Sequence, residues 1–495
     1  MNTDPIKVYD ARWETHEFDA GKVARLVEST LIYGRILGVD AVTICRDARW
    51  GCAALMELAA DMAQSSGFDV FLCPDPVSTP QSYFLTFTVS QERPAVMGLT
   101  FTASHNPASY VGLKVVVPPV QAIGLGCGPL GGFQRIREIY HGAEALERGR
   151  RSRLQVLSVA REYVDFSLAQ AGVADGGLAG LSVVADFMNG SAGAEFMAAF
   201  QRAQVSVTPL RLVPDGGFPT GSPNPTSAGK MATAVARARA EGADTVIGTD
   251  GDGDRLVFGD ARGTLSAGIA AIPVLSKVLD PGGDAVPPFV LYDPKVSPLA
   301  LSAWVRSGAA PVLFRNGHSQ IKEKMRSVDA VAAVEESGHF YHRLRGARSA
   351  AYMESSLVTA LLFLKAIHQR PALREDLRAL EDSFFTTGEF NYQLQDDGAR
   401  DGALSAALRL FGDDGATLVS RTEDGTDLMG SYVSKGIDTA TGALSADWYQ
   451  AYLRVATNEK AVMRSYLSSG DPSMGRAWEK RLRDLLGSRG GHIVE

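Results

Sequence analysis

The chain has 495 residues, 45% hydrophobic and 21% charged, with a formal net charge of −7, enough for several domains that each bury a core. The acidic balance argues against a nucleic-acid partner, which calls for a basic surplus, and no apolar run approaches the length of a membrane span. No secretory leader is expected from the first residues, and four scattered cysteines, Cys45, Cys52, Cys73 and Cys127, read as buried free thiols in a reducing cytoplasm.

Residues 1–150 alternate strand and helix, which predicts a mixed or parallel sheet covered by helices. The spacing gives a helix over 21–37, a strand over 41–45, a helix over 55–63, a strand over 69–72 and a buried strand over 94–101. Asn106-Pro107 then forces a turn. Ser104, at the strand-to-loop junction beside His105, is either a nucleophile or an ordinary turn serine. Residues 115–132 are rich in proline and glycine, and glycines 126, 128 and 131 fit a dinucleotide-loop spacing. Pro129 stiffens that loop, and no acidic residue ends a strand about twenty positions on, as a ribose contact requires. A flexible insertion is the better reading.

The basic run at 148–151 reads as a solvated link. A helix is expected over 156–171, strands over 181–186 and 243–248, and a helix over 228–241. The second strand runs into Asp250-Gly251-Asp252-Gly253-Asp254-Arg255. Three carboxylates at alternate positions can wrap one hard divalent cation. An EF-hand opens the same way, but needs a preceding helix and a glutamate at the twelfth position; here a strand precedes, and that position is Ala261. Magnesium at a phosphoryl-transfer site fits better. Further on, a helix over 267–279, strands over 289–293, 311–315 and 330–334, and strands flanking a loop near 454 complete the pattern. His318 and His339 would each count as core histidines if taken singly.

Taken together, the serine and aspartate stretches resemble the α-D-phosphohexomutase family, the phosphomannomutase and phosphoglucomutase group. Other stretches carry the resemblance along nearly the whole chain: Tyr9-Asp10-Ala11-Arg12, Arg46-Asp47-Ala48-Arg49, Thr79-Pro80, Tyr110-Val111-Gly112-Leu113-Lys114, Asn316-Gly317-His318-Ser319-Gln320-Ile321-Lys322 and Glu335-Glu336-Ser337-Gly338-His339. Departures include Val111 where the family has asparagine, and Asn316 where it has threonine. The final phosphate loop, Arg454-Val455-Ala456-Thr457-Asn458-Glu459-Lys460, departs most, with alanine in place of serine and the next two residues inverted; Arg421-Thr422-Glu423 is a competing candidate.

The resemblance implies an α/β fold with a four-domain phosphohexomutase-like architecture, three mixed α/β sandwich domains and a smaller α+β C-terminal domain around a central cleft. The expected domains are 1–152 (phosphoserine), 153–263 (metal), 264–375 (sugar) and 376–495 (C-terminal phosphate). It implies a mutase that interconverts hexose 1-phosphate and hexose 6-phosphate, of mannose or glucose, through a phosphoserine and a bisphosphorylated sugar; the alternatives are a phosphoglucosamine mutase, a magnesium-dependent phosphatase and a non-catalytic sugar-phosphate-binding homologue. By resemblance Ser104 carries the phosphoryl group and, with Asp250, Asp252 and Asp254, binds one Mg2+. His105, Lys114, His318 and Arg255 join the catalytic set, with Lys114 and His318 as proton-transfer candidates. Arg12, Arg49, Lys295, Glu335, Ser337, His339, Arg454, Thr457 and Asn458 would bind substrate, with Arg12 and Arg49 on a positive rim. Hexose 1,6-bisphosphate is the implied activator, and a cytoplasmic monomer or homodimer without nucleic-acid or membrane partners is expected.

Overall fold

The computed structural model describes residues 4–17, 19–279, 287–456 and 459–494. The chain forms two compact units. The first holds 1–264, 317–332 and 337–369; the second holds 265–316, 333–336 and 370–495.

The N-terminal sheet of the first unit runs Ala11–Glu14, Tyr110–Val117, Val96–Phe101, Ala41–Arg46, Asp69–Pro76, Leu154–Val156, with Gln121–Ala122 paired beside Tyr110–Val117. Its central strands are parallel, and Tyr110–Val117 is antiparallel to both its neighbours in the main order. Val96–Phe101 is buried at every position, so its sequence is a continuous apolar run rather than an alternating one. Helices Ala20–Ile36, Cys52–Ser65 and Phe133–His141 share one core with this sheet, built on Leu26, Leu31, Val42, Ile44, Leu99, Phe101 and Phe133.

A second sheet, ordered Leu256–Gly259, Thr245–Thr249, Ser182–Asp186, Ser206–Leu210, is parallel except for its edge strand Leu256–Gly259. The hairpin Phe340–Arg345 with Ala350–Glu354 and the helices His318–Val328 and Ser356–Gln369 also belong to this unit.

The second unit pairs Phe289–Tyr292 in parallel with Ala310–Leu313. It also holds an antiparallel six-stranded sheet: Thr417–Arg421, Asp427–Asp438, Ala443–Val455, Val462–Ser469, Phe385–Gln393, His492–Val494. Helices Asp397–Asp413 and Pro472–Ser488 cover that sheet over a core of Phe411, Tyr449, Leu453, Met463 and Trp478.

Three elements differ from expectation. Helix Thr79–Ser90 begins at the Thr79-Pro80 stretch, for which the resemblance implies a turn. Ser78 caps it by accepting from the Gln81 N–H, and Pro80 sits in its first turn, where a missing N–H costs nothing. Its apolar residues show no helical stripe because the helix is buried nearly all round, so periodicity gives no signal. The expected helix over 156–171 begins only at Ala160, after the strand Leu154–Val156. The stretch 115–132 is not a loose insertion. Glu323 accepts from Gln121 Nε2 at 3.0 Å and from the Gly128 N–H at 2.9 Å, and the Tyr33 hydroxyl donates to the Pro129 carbonyl.

Candidate active site

In the first unit the serine and aspartate stretches, 146 residues apart, touch. Ser104 Oγ donates to Asp250 Oδ2 at 2.9 Å. Ser104 has φ 51°, in the left-handed region that a serine enters only at a cost. The loop supports it there: the Ser104 N–H donates to Thr102 Oγ1, and Thr102 in turn donates to Asp47. Gly251 is required for the approach, since a Cβ there would lie 2.7 Å from the Ser104 carbonyl oxygen.

Asp250, Asp252 and Asp254 each place a carboxylate oxygen within 4.8 Å of the others, and none is more than 2% exposed. Lys114 Nζ donates to Asp252 Oδ2 at 2.7 Å and Asp254 Oδ2 at 2.6 Å. Thr79 Oγ1 donates to Asp252 Oδ2 at 2.6 Å. Burial, reinforced by Asp252 and Asp254, pushes Asp250 up to about 8. Burial works the same way on Asp254, but Lys114 and His339 outweigh it and hold that carboxyl well below its usual range. Asp252 Oδ1 is buried without a hydrogen-bond partner. Asp254 Oδ1 is likewise buried without a hydrogen bond, and three clustered acids, two bearing such an oxygen, are a donor set suited to a hard cation.

Lys114, expected to pair with phosphate or carry a proton, is instead committed to the acid cluster. Burial lowers its pKa, yet Asp252 and Asp254 raise it well above the usual lysine value. Arg49 does not line a rim: it is 1% exposed. It binds Asp47 and donates to the carbonyls of Ser104, Asn106, Pro107 and Tyr110, so it shapes the serine loop from within. Arg12 is partly exposed and reaches Asp10, Asn106 and the Ala103 carbonyl. The Arg255 N–H donates to Asp250 Oδ1 at 3.2 Å, and its Nη1 lies 3.4 Å from Asn224 Oδ1.

His105 Nδ1 is 3.3 Å from Ser104 Oγ; burial, with Arg255 and Arg12, holds it well below the usual histidine range. His339 Nε2 is 3.4 Å from Asp254 Oδ1, and its Nδ1 is 2.8 Å from Ser337 Oγ. Gly338, at φ 91°, lets the Leu256 N–H reach the Gly338 carbonyl at 2.8 Å, which lays the 337–339 turn on the metal loop's return strand. His318 opens the helix His318–Val328, with both ring nitrogens buried and without a hydrogen bond, Nδ1 lying 3.9 Å from Glu354 Oε1. One turn on, Lys322 donates to both oxygens of Glu354, at 2.9 and 2.8 Å. Burial, then Lys322 and Lys114, keeps His318 neutral.

The second unit holds the other predicted groups. Lys295 Nζ donates to Glu389 Oε2 at 3.3 Å; Arg454 lies 3.7 Å and Arg464 3.4 Å from the same carboxylate. Arg454 and Arg464 face each other on neighbouring strands, where like charges repel unless an anion joins them. Thr457 and Asn458 lie outside the described residues. Arg421 ends a strand at an exposed hairpin. Glu335 is buried and accepts from Asn316 Nδ2 at 3.2 Å. Thr79, Lys322, Glu354, Glu389 and Arg464 are contributors the sequence reading gave no role; Thr79 and Lys322 lie in stretches already singled out, so proximity to a motif was the available signal.

Three family models match in succession: phosphoglucomutase/phosphomannomutase α/β/α domain I over residues 6–123, domain II over 161–263 and domain III over 274–384. The chain belongs to the phosphoglucomutase/phosphomannomutase family. A phosphomannomutase of Salmonella montevideo is 28% identical over 98% of this chain and 100% of its own length. A protein of Xanthomonas campestris named for phosphohexose mutases is 28% identical over 83% of this chain and 87% of its own. Among solved structures, a phosphoglucomutase/phosphomannomutase family protein of Burkholderia thailandensis superposes with a TM-score of 0.79 at 23% identity, covering 100% of this chain and 99% of the other. The fold is that of the phosphohexomutases, and the chain is an isomerase of the phosphomannomutase/phosphoglucomutase type. Among the described residues of this phosphohexomutase, no helix is long and apolar enough to cross a membrane.

Proposed function

We propose that the enzyme moves a phosphoryl group between O1 and O6 of a hexose phosphate, mannose or glucose, with Ser104 as the carrier and a hexose 1,6-bisphosphate as the intermediate. The observation that carries this reading is Ser104 Oγ, 2.9 Å from Asp250 inside the acid cluster. In the first half-reaction the bond from phosphorus to Ser104 Oγ breaks and a bond to a sugar hydroxyl oxygen forms, while that hydroxyl gives up its proton and Ser104 regains one. In the second half-reaction the other end of the bisphosphate returns a phosphoryl group to Ser104.

Asp250, Asp252 and Asp254 would hold one Mg2+, together with a phosphate oxygen on Ser104; bound there, the ion offsets the charge that develops in phosphoryl transfer. The chain's own groups do the rest. Lys114 ties Asp252 to Asp254 and, with His339, keeps Asp254 ionised. His105 is the neutral base nearest to Ser104 Oγ, and His318 is a second neutral imidazole open to a sugar hydroxyl. Arg255, tied to Asp250, supplies a fixed donor at the transferring group. In the second unit Lys295, Arg454 and Arg464 form a cation cluster that suits a phosphate group. Glu335 accepts from sugar hydroxyls, and Ser337 and His339 support that loop.

The test is an assay of glucose 1-phosphate and mannose 1-phosphate with Mg2+ and a trace of the matching 1,6-bisphosphate, alongside intact-mass measurement of the purified enzyme. The expected result is formation of 6-phosphate and a single phosphate adduct located at Ser104. Stoichiometric release of inorganic phosphate would make the protein a phosphatase, and binding without turnover a non-catalytic homologue.

A further inference from the structure

Glu335 does not stand alone. It follows the strand Ala332–Val334 and is 3% exposed. Asp293 follows the strand Phe289–Tyr292 and is fully buried. Between them Asn316 Nδ2 donates in a short contact to Asp293 Oδ2 and at 3.2 Å to Glu335 Oε1. Asp293 Oδ1 accepts the backbone N–H groups of Lys295 at 3.3 Å and Glu336 at 3.2 Å. One hydrogen-bonded chain therefore runs from backbone through Asp293 and Asn316 to Glu335.

Two buried carboxylates so close resist being ionised together. Burial raises the Asp293 pKa, Lys295 pulls it down, Glu335 raises it further and Asn316 opposes that rise. A primary amide carries two hydrogens on one nitrogen, so it can serve both carboxylates with no proton shared between them. The orientation of the amide is dictated, because its oxygen turned inward would face carboxyl oxygens of Asp293 and Glu335. Threonine, which the matching family stretch carries at this place, has one hydroxyl hydrogen and can serve one carboxylate only.

We propose that Asn316 is a positioning residue for sugar recognition: its amide locks Glu335 against Asp293, so that Glu335 meets the sugar hydroxyls as an ordered acceptor. The inference rests on the reading of Glu335 as a sugar ligand given above, and names the residue that presets it. Ordering a carboxylate before the substrate arrives removes a cost otherwise met on binding.

The experiment is a double-mutant cycle in the full chain, with Asn316→Thr, Glu335→Gln and the pair, measuring kcat and KM for the preferred 1-phosphohexose from pH 5 to 9. Asn316→Thr is expected to lower kcat/KM by about tenfold. The loss should fall on KM with kcat changed less, because a preset acceptor acts on binding. Added to Glu335→Gln, it should cost nothing more. Additive losses, or a loss confined to kcat, would overturn the inference while leaving Glu335 as a sugar ligand. Wild-type kcat/KM in Glu335→Gln would sink the sugar-ligand reading, and this inference with it. Should Asn316→Thr not fold, Asn316→Ser, smaller and likewise with one hydroxyl hydrogen, serves the same cycle.

Discussion

The acid cluster of the first unit and the cation cluster of the second are opposites. Ser104, Lys114 and the three aspartates are each no more than 2% exposed. Lys295, Arg454 and Arg464 are 15–26% exposed around Glu389, itself 28% exposed, and Arg464 also reaches Glu459 at 3.0 Å. The first cluster sets three carboxylates against the Lys114 ammonium and the Arg255 guanidinium, 3.8 Å from Asp250, and has more acids than cations. Among the described residues the second sets three cations against two carboxylates, Glu389 and Glu459, which leaves one cation over. Buried groups fixed by short hydrogen bonds suit chemistry that needs a preset field. Half-exposed groups around an exchangeable counter-ion suit a phosphate that must be gripped and then released.

If that division is right, the largest effect comes from the carrier oxygen. Ser104→Ala should abolish turnover, by about 10³-fold or more, remove the phosphate adduct and leave sugar-phosphate binding within a few-fold of wild type by calorimetry. Residual mutase activity would move the carrier elsewhere. Next is Lys114→Met, which strands two buried carboxylates. It should destabilise the protein by about 3–5 kcal/mol without a divalent cation, and millimolar Mg2+ should restore much of the loss in a thermal melt. A melt indifferent to Mg2+ would end the metal-cage reading. Smaller again is Arg454→Ala, expected to raise KM by about 10–100-fold and to change kcat less. A fall in kcat alone would mean that this half-exposed cluster takes part in the chemistry instead of the grip.

Why one region was legible and the other less so follows from their physics. The serine and aspartate loops are local: strand, turn and ligand spacing are written in consecutive residues, so Ser104 and Asp250, Asp252 and Asp254 can be read off the chain. Lys114 is a lysine in a motif, but its role depends on partners 138 and 140 residues away, and spacing cannot report those. Arg49 looks like a rim cation because arginine is normally exposed; the four carbonyls around it are a property of the folded loop. Helix Thr79–Ser90 was hidden because burial on all sides erases amphipathic periodicity. In the second unit Glu389 and Arg464 come from strands paired across the sheet, and no local pattern joins them to Lys295.

The last test concerns burial itself. Glu195 is 3% exposed and accepts from Ser78 Oγ at 2.8 and 2.9 Å. Ser78 immediately precedes Thr79, which binds Asp252. Unlike Asp254, Glu195 has no cation beside it, and burial pushes it from 4.5 up to about 8. The folded protein therefore holds this proton more tightly than the unfolded chain does. The stability it contributes is full below about pH 4.5 and is lost as pH rises towards 8. Glu195→Gln keeps the neutral shape at every pH. The variant should match wild type near pH 5 and become the more stable of the two by on the order of 2 kcal/mol near pH 9, measured by urea unfolding at both values. A gap that stays constant with pH would mean that Glu195 is ionised in the fold. The contrast between Asp254 and Glu195 would then have to rest on something other than the ammonium that one has and the other lacks.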